Sequence, residues 1–114
     1  MKSTRPSATR LTPLYRRLLR QLSRLGYLSQ GSVLERPNGQ PGSPYIWTRK
    51  VKAKTVTVAL SKEQFRWLRQ AVANQRKLNR IVGEMQVESR RVGFGTIPGV
   101  IRRKRLGKKV LGTV

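Results

Sequence analysis

Four glutamates are the only acidic side chains in this chain of 114 residues: Glu35, Glu63, Glu84 and Glu88. Glu84 and Glu88 are one helical turn apart, and two carboxylates at that spacing could act as a general acid and a general base. Arg80 and Arg91 lie within a turn of them, so the favoured interpretation is charge pairing on a helix surface. The chain has no His and no Cys. We therefore predict a noncatalytic protein with no metal site and no cofactor.

Positive charge dominates the composition, with 26 Lys and Arg residues against 4 acidic ones and a formal net charge of +22. So much like charge on a small body is self-repulsive and favours an anionic partner. Nucleic acid is the commonest such partner and a membrane surface is the next. No run approaches the roughly 18 apolar residues of a membrane span, and the first residues lack the apolar core of a secretory signal. We expect a cytoplasmic nucleic-acid-binding protein without a small-molecule substrate.

A β-hairpin is predicted by two runs of β-branched and aromatic residues, Tyr45–Val51 and Thr55–Leu60, joined by Lys52-Ala53-Lys54. Four cations cluster at its tip: Arg49, Lys50, Lys52 and Lys54. A narrow cationic protrusion suits a groove or two phosphate strands, so we predict that this tip binds nucleic acid. Trp47 on the first strand is interpreted as core, with a stacking platform for an unpaired base as the alternative.

A long amphipathic helix should follow, because Ser61 and Gln64 have the spacing of a capping box. We expect it to run from Lys62 to near Arg91. Helical periodicity places an apolar group on one side: Trp67, Leu68, Ala71, Leu78, Ile81, Val82 and Met85. The predicted nucleic-acid-binding cations collect on the opposite side: Lys62, Arg66, Arg69, Arg76, Lys77 and Arg80.

An N-terminal helix is predicted from Thr12-Pro13, a good N-cap and first-turn pair, to Leu25, with Gly26 ending it. Its leucine stripe should dock on the long helix or the hairpin rather than on a membrane. Its other sides carry further predicted binding cations: Arg16, Arg17, Arg20 and Arg24. Between this helix and the hairpin, Ser32–Arg36 is predicted as a possible third strand.

The chain should comprise a flexible basic arm over residues 1–11, one small α+β domain over 12–92, and a Gly-rich basic extension over 93–114. The fold class is thus α+β, with an N-terminal helix, a hairpin or small three-stranded sheet, one long helix and extended basic termini. The extension contributes the last predicted binding cations: Arg102, Arg103, Lys104, Arg105, Lys108 and Lys109.

Several short features resemble a family of small prokaryotic proteins, of uncharacterised function, that are often encoded near transposases. They are the Gly31-Ser32 step, Pro44-Tyr45, Arg49-Lys50-Val51, Lys54-Thr55 and the helix after Leu60. The resemblance covers about residues 22–91 and implies a mobile-element or phage context. In that family a Cys-rich segment suited to metal precedes the Pro-Tyr pair. Here residues 36–41 stand in that place without a cysteine, so the resemblance implies no metal site in this chain.

Three functions fit these observations. The first is a noncatalytic subunit of a ribonucleoprotein, ribosome-like or from a mobile element, that clamps structured RNA through phosphate contacts within a larger assembly. The second is a duplex-DNA-binding accessory protein of transposition, whose long helix would enter the major groove. The third is a basic membrane-associated helical protein. The hairpin and the Pro and Gly residues that interrupt the helical pattern argue against it. RNA is the favoured partner.

Overall fold

The structure, a computed structural model, describes residues 10–37, 39, 41–101 and 105–112. The elements follow in the order α1 (Pro13–Ser23), β1 (Ser32–Glu35), β2 (Tyr45–Val51), β3 (Lys54–Leu60), α2 (Lys62–Thr96) and α3 (Lys108–Leu111). The predicted α+β fold is confirmed. Most of the predicted N-terminal arm and the cations Arg102, Arg103 and Lys104 lie outside the described residues.

Contacts divide the chain into two compact units, and α2 runs through both. One unit, here called the sheet unit, extends from Leu25 to Asn79. The other, here called the helical unit, combines the chain up to Arg24 with the chain from Arg80 onward.

The sheet unit contains an antiparallel sheet of order β1-β2-β3. The predicted third strand is confirmed and ends at Glu35. Val33 and Val58 are the cross-strand neighbours of Trp47, so the three side chains share one face of the sheet. On the same face the Tyr45 ring packs against Phe65 of α2, with 4.7 Å between ring centroids. This face therefore packs on the first turns of α2.

The hairpin turn is shorter than the sequence indicated. Val51 pairs with Lys54, so Lys54 belongs to β3 and the connection has only Lys52 and Ala53. Their φ angles are 49° and 66°, both in the left-handed region that a type I′ turn requires. The predicted three-residue link is wrong, because two residues without the usual Asn or Gly signature adopt this backbone.

α2 begins with the predicted capping box. Ser61 Oγ accepts from the Gln64 N–H at 3.1 Å, and Gln64 Oε1 accepts from the Ser61 N–H at 3.0 Å. The predicted end near Arg91 is wrong, because the helix continues to Thr96. Each glycine inside a helix costs only about 1 kcal/mol, which is too little to stop so long a helix. Pro98 lies just beyond the end, where it disfavours helical backbone at the preceding residue.

The apolar side of α2 is only partly buried. Ala71 and Ile81 are buried as predicted, and so is Val72, which the periodicity did not single out. Trp67, predicted on the same side, remains 53% exposed. The helical phase therefore identified the core positions near the middle of α2 but not the environment of its tryptophan.

α1 begins at the predicted cap, where Thr12 Oγ accepts from the Tyr15 N–H at 3.2 Å. It ends at Ser23 and not at Leu25, because the Arg24 N–H turns back to the Gln21 carbonyl at 3.2 Å and tightens the last turn. Leu18 is buried. The start of α1 meets α2 through Thr12, whose hydroxyl bonds Glu88.

The C-terminal extension contains one element that the sequence did not predict. α3 is a helix of 4 residues that ends at Leu111, with Gly112 as its C-cap. The Arg90 guanidinium of α2 donates to the carbonyl of Leu111, the last residue of α3. The extension is therefore tied to α2 at this point.

Candidate nucleic-acid interface

The hairpin tip presents positive charge on both faces of the sheet. Arg49 and Lys50 are consecutive residues of β2, so their side chains leave the strand on opposite faces. Lys52 occupies the turn and Lys54 begins β3. All four side chains are exposed. A thin protrusion that is cationic on both sides is able to contact two phosphate strands at once.

The basic side of α2 is exposed along its length. In the sheet unit it comprises Lys62, Arg66, Arg69, Arg76 and Lys77. Arg69 also lies over an aromatic ring, with Cζ 5.5 Å from the Phe65 centroid. This cation–π contact keeps the guanidinium near the helix surface, and the side chain remains exposed.

The helical unit carries a separate set of exposed cations: Arg16, Arg17, Arg20, Arg24, Arg80, Arg105, Lys108 and Lys109. Those of α1 cover more than one side of the helix, as their spacing in the sequence predicted. Arg10 is exposed too. It was not among the predicted binding cations, since it lies in the segment assigned to a flexible arm.

Three other arginines have internal roles. Arg36 donates from Nε at 3.2 Å and from Nη2 at 2.8 Å to the Ser43 carbonyl, which closes the connection between β1 and β2. Arg90 bonds Leu111, as described above, and Arg91 forms an ion pair with Glu88. None of these three was among the predicted interface residues. These three arginines bond oxygens of the protein itself, whereas the described cations of the predicted interface form no side-chain hydrogen bond or ion pair within the described residues.

Within the described residues, no predicted interface cation is paired with a carboxylate, since the ion pair found there is Arg91–Glu88. Arg91 Nε lies 2.6 Å from Glu88 Oε1, and its Nη2 lies 2.9 Å from Oε2. Exposed cations that form no ion pair with the protein remain open to an anionic ligand. This distribution is what electrostatic binding to a polyanion requires.

Glu88 is buried, with 2% of its surface exposed, so the predicted position of this residue on the helix surface is wrong. The hydroxyl of Thr12, at the start of α1, donates a hydrogen bond of 2.6 Å to Oε2 of this carboxylate. The bidentate hydrogen bond from Arg91 lowers the pKa of Glu88, burial opposes this effect, and the Thr12 hydroxyl lowers the pKa further. Conversely, the pairing with Glu88 raises the pKa of Arg91.

The carboxylate pair considered for acid–base chemistry is therefore split between two environments. Glu84 is exposed, whereas both oxygens of Glu88 accept hydrogen bonds from the protein. Among the described residues, no three His, Cys, Asp or Glu side chains converge to form a possible metal site. A search of the same residues found no helix with the length and apolarity needed to cross a membrane.

An aromatic cluster in the sheet unit was missed by the sequence analysis. Tyr27 is 76% exposed, and its ring lies 5.3 Å from that of Trp67 at an angle of 44°. Tyr27 lies in a polar connection, and periodicity placed Trp67 on the apolar side of the long helix. Neither position pointed to an exposed pair. Trp47 differs from both, since its indole N–H donates to the Gln30 carbonyl at 2.9 Å and fixes the ring.

Comparisons with protein-family models, with curated proteins and with solved structures found no match for this chain. The resemblance to the transposase-associated family stays a prediction.

Proposed function

We propose that this chain is a noncatalytic nucleic-acid-binding protein that holds structured RNA, chiefly through phosphate contacts, inside a ribonucleoprotein assembly. The observation that supports it most is that every described cation of the predicted interface is exposed and, within the described residues, forms no side-chain hydrogen bond or ion pair. Arginines that bond protein oxygens, such as Arg36 and Arg91, were absent from that predicted set. With a net charge of +22, such a surface favours a polyphosphate partner.

RNA is preferred over duplex DNA because the cations are spread over a hairpin tip and several helices. A bound duplex would favour one helix whose side chains read a groove. Dispersed cations on small protrusions suit shape-led recognition, in which phosphates and 2′-hydroxyl groups supply most contacts. A cytoplasmic location and a mobile-element or ribosome-like context belong to the same proposal. They rest on the composition and on the resemblance of residues 22–91.

A competition experiment with the intact chain tests the choice of partner. A structured RNA, a DNA duplex of similar length and anionic phospholipid vesicles would be titrated under the same salt conditions. We expect tightest binding to RNA at about 0.15 M ionic strength. Equal affinity for all three polyanions would contradict RNA selectivity, and tightest binding to the duplex would favour the DNA-accessory function.

The hairpin tip is tested by replacing three of its lysines together, K50A, K52A and K54A. We expect weaker RNA binding without loss of the fold, because all three side chains are exposed. T55A with T57A is a matched control, since these neutral residues of β3 are also exposed. Unchanged affinity in the lysine variant would remove the tip from the interface. Equal losses in both variants would assign the effect to hairpin stability.

A further inference from the structure

The sheet unit has an open pocket that its core does not fill. Its volume is about 440 Å³. Its walls are mostly apolar and comprise Trp47, Val58, Leu60, Trp67 and Leu68. Two polar residues, Ser29 and Gln64, complete the lining. The chain has only two tryptophans, and both line this pocket. A pocket of this size with apolar walls and few polar groups is typical of a site for a small planar ligand.

The two tryptophans differ in how they are held. Trp47 is fixed by the hydrogen bond from its indole N–H to Gln30, so its ring forms a stationary wall. Trp67 is half exposed and contacts the Tyr27 ring at a tilt. A tilted contact at 5.3 Å leaves no slot between these two rings. The open surface of Trp67 is therefore available to a ligand from the pocket side.

Two polar side chains at this pocket, Gln64 and Ser29, have hydrogen-bonding groups that the described part of the protein does not use. Gln64 uses Oε1 to accept from the Ser61 N–H, and within the described residues its Nε2 makes no hydrogen bond. The Ser29 hydroxyl donates to the Gln30 carbonyl and keeps oxygen lone pairs free to accept. One amide donor and one hydroxyl acceptor are suited to the polar edge of a heterocycle.

Positive charge lies beside the same pocket. Arg49 Cζ is 5.9 Å from the Trp47 ring centroid, and this side chain is exposed. A ligand with an apolar planar face and an attached anion would contact the rings and Arg49 together. A nucleotide has both features, whereas a purely apolar peptide has only one.

We propose that this pocket binds an unpaired nucleobase of the RNA, which stacks on Trp67 while its edge meets Gln64 and its flanking phosphate meets Arg49. This inference rests on the proposed RNA-binding function and adds a second kind of contact to it. Base–aromatic stacking requires an unpaired base, since a paired base has both faces covered. The protein should thus prefer RNA with a bulge or an open loop to fully paired RNA.

The test compares two RNA hairpins that differ only in one bulged nucleotide, using the wild-type chain, W67L and W67F. Wild type should bind the bulged hairpin about 10-fold more tightly than the paired one, a ratio within the range of base stacking on one aromatic ring. W67L should lose this ratio and keep its affinity for the paired hairpin. W67F should retain most of the ratio, because phenylalanine still offers a stacking face.

The outcomes distinguish a failure of the pocket proposal from a failure of the proposed RNA binding. If wild type binds both hairpins tightly and equally, the pocket proposal is overturned while RNA binding stands. If wild type binds neither, both proposals fail. If W67L loses affinity for both hairpins equally, Trp67 has a structural role and the pocket proposal is again overturned. A 4-thiouridine at the bulge should crosslink to a residue that lines the pocket, such as Trp67, and a crosslink elsewhere would contradict the proposed site.

Discussion

The hydroxyl of Thr12 donates a hydrogen bond of 2.6 Å to Oε2 of Glu88, across 76 positions of sequence. The hydroxyl oxygen of Thr12 also accepts a hydrogen bond from the Tyr15 N–H and so caps α1. One side chain therefore begins a helix and joins it to α2. The carboxylate it meets is buried and also holds Arg91. This arrangement uses one of only four acidic residues for structure rather than for binding.

Removing this carboxylate should destabilise the helical unit. We expect E88A to lower the free energy of unfolding by about 2–3 kcal/mol, since a hydrogen bond to a charged group stabilises the fold more than one between neutral groups. T12V should cost about 2 kcal/mol through loss of the cap and of one bond to Glu88. T12S should restore most of that loss. Urea denaturation measures all three, and a wild-type midpoint in E88A would contradict the role given to Glu88.

Acid should weaken the same contact. The folded state holds the pKa of Glu88 below its ordinary value, so the folded protein binds fewer protons than the unfolded chain. The contribution of Glu88 to stability is therefore complete above about pH 5 and falls as the pH drops through the folded-state pKa. E88Q should lose less stability over that window than wild type. Equal acid sensitivity of the two proteins in urea denaturation would contradict this assignment.

The hairpin turn should accept a better turn sequence. Lys52 and Ala53 both have left-handed backbone, which costs an L-residue about 1–2 kcal/mol. Asn-Gly is the preferred pair for a type I′ turn. K52N with A53G should therefore raise stability by about 1 kcal/mol and also remove one tip charge. Higher thermal stability together with weaker RNA binding is the expected pair of results. Lower stability would contradict the turn type.

Gly31 should tolerate no side chain. Its φ is 102°, and a Cβ there would lie 2.7 Å from Nε1 of Trp47 and closer still to the Thr48 carbonyl oxygen. G31A should cost about 3 kcal/mol or more, through strain and displacement of the tryptophan. G39A is a matched control, because Gly39 has a φ of 93° and no atom within 4 Å of an added Cβ. Equal thermal destabilisation by the two changes would show that only backbone strain matters.

Features determined within a few residues were predictable from the sequence. The reciprocal bonds of Ser61 and Gln64, the cap at Thr12 and the strands all follow from local residue types. The hairpin turn was not predictable, because Lys52 and Ala53 have no intrinsic preference for left-handed backbone. Register across the strands imposes that conformation on them.

The interface was predictable as a set of cations but not as an arrangement. Charge and periodicity selected the residues that the structure leaves exposed, such as Lys50 and Arg66. Burial of Glu88 depends on Thr12, which is distant in sequence, so no local pattern indicates it. The exposure of Trp67 depends in the same way on how β2 and β3 pack on α2, so helical phase alone does not indicate it.

Binding of the intact chain to a structured RNA over a series of salt concentrations tests the central claim most directly. The account predicts measurable binding at about 0.15 M ionic strength and a linear fall of log K with log salt, with a slope of roughly −0.7 to −0.9 per phosphate contact. The K50A, K52A and K54A variant should have a shallower slope. Absence of RNA binding at that ionic strength, or affinity independent of salt, would contradict the account.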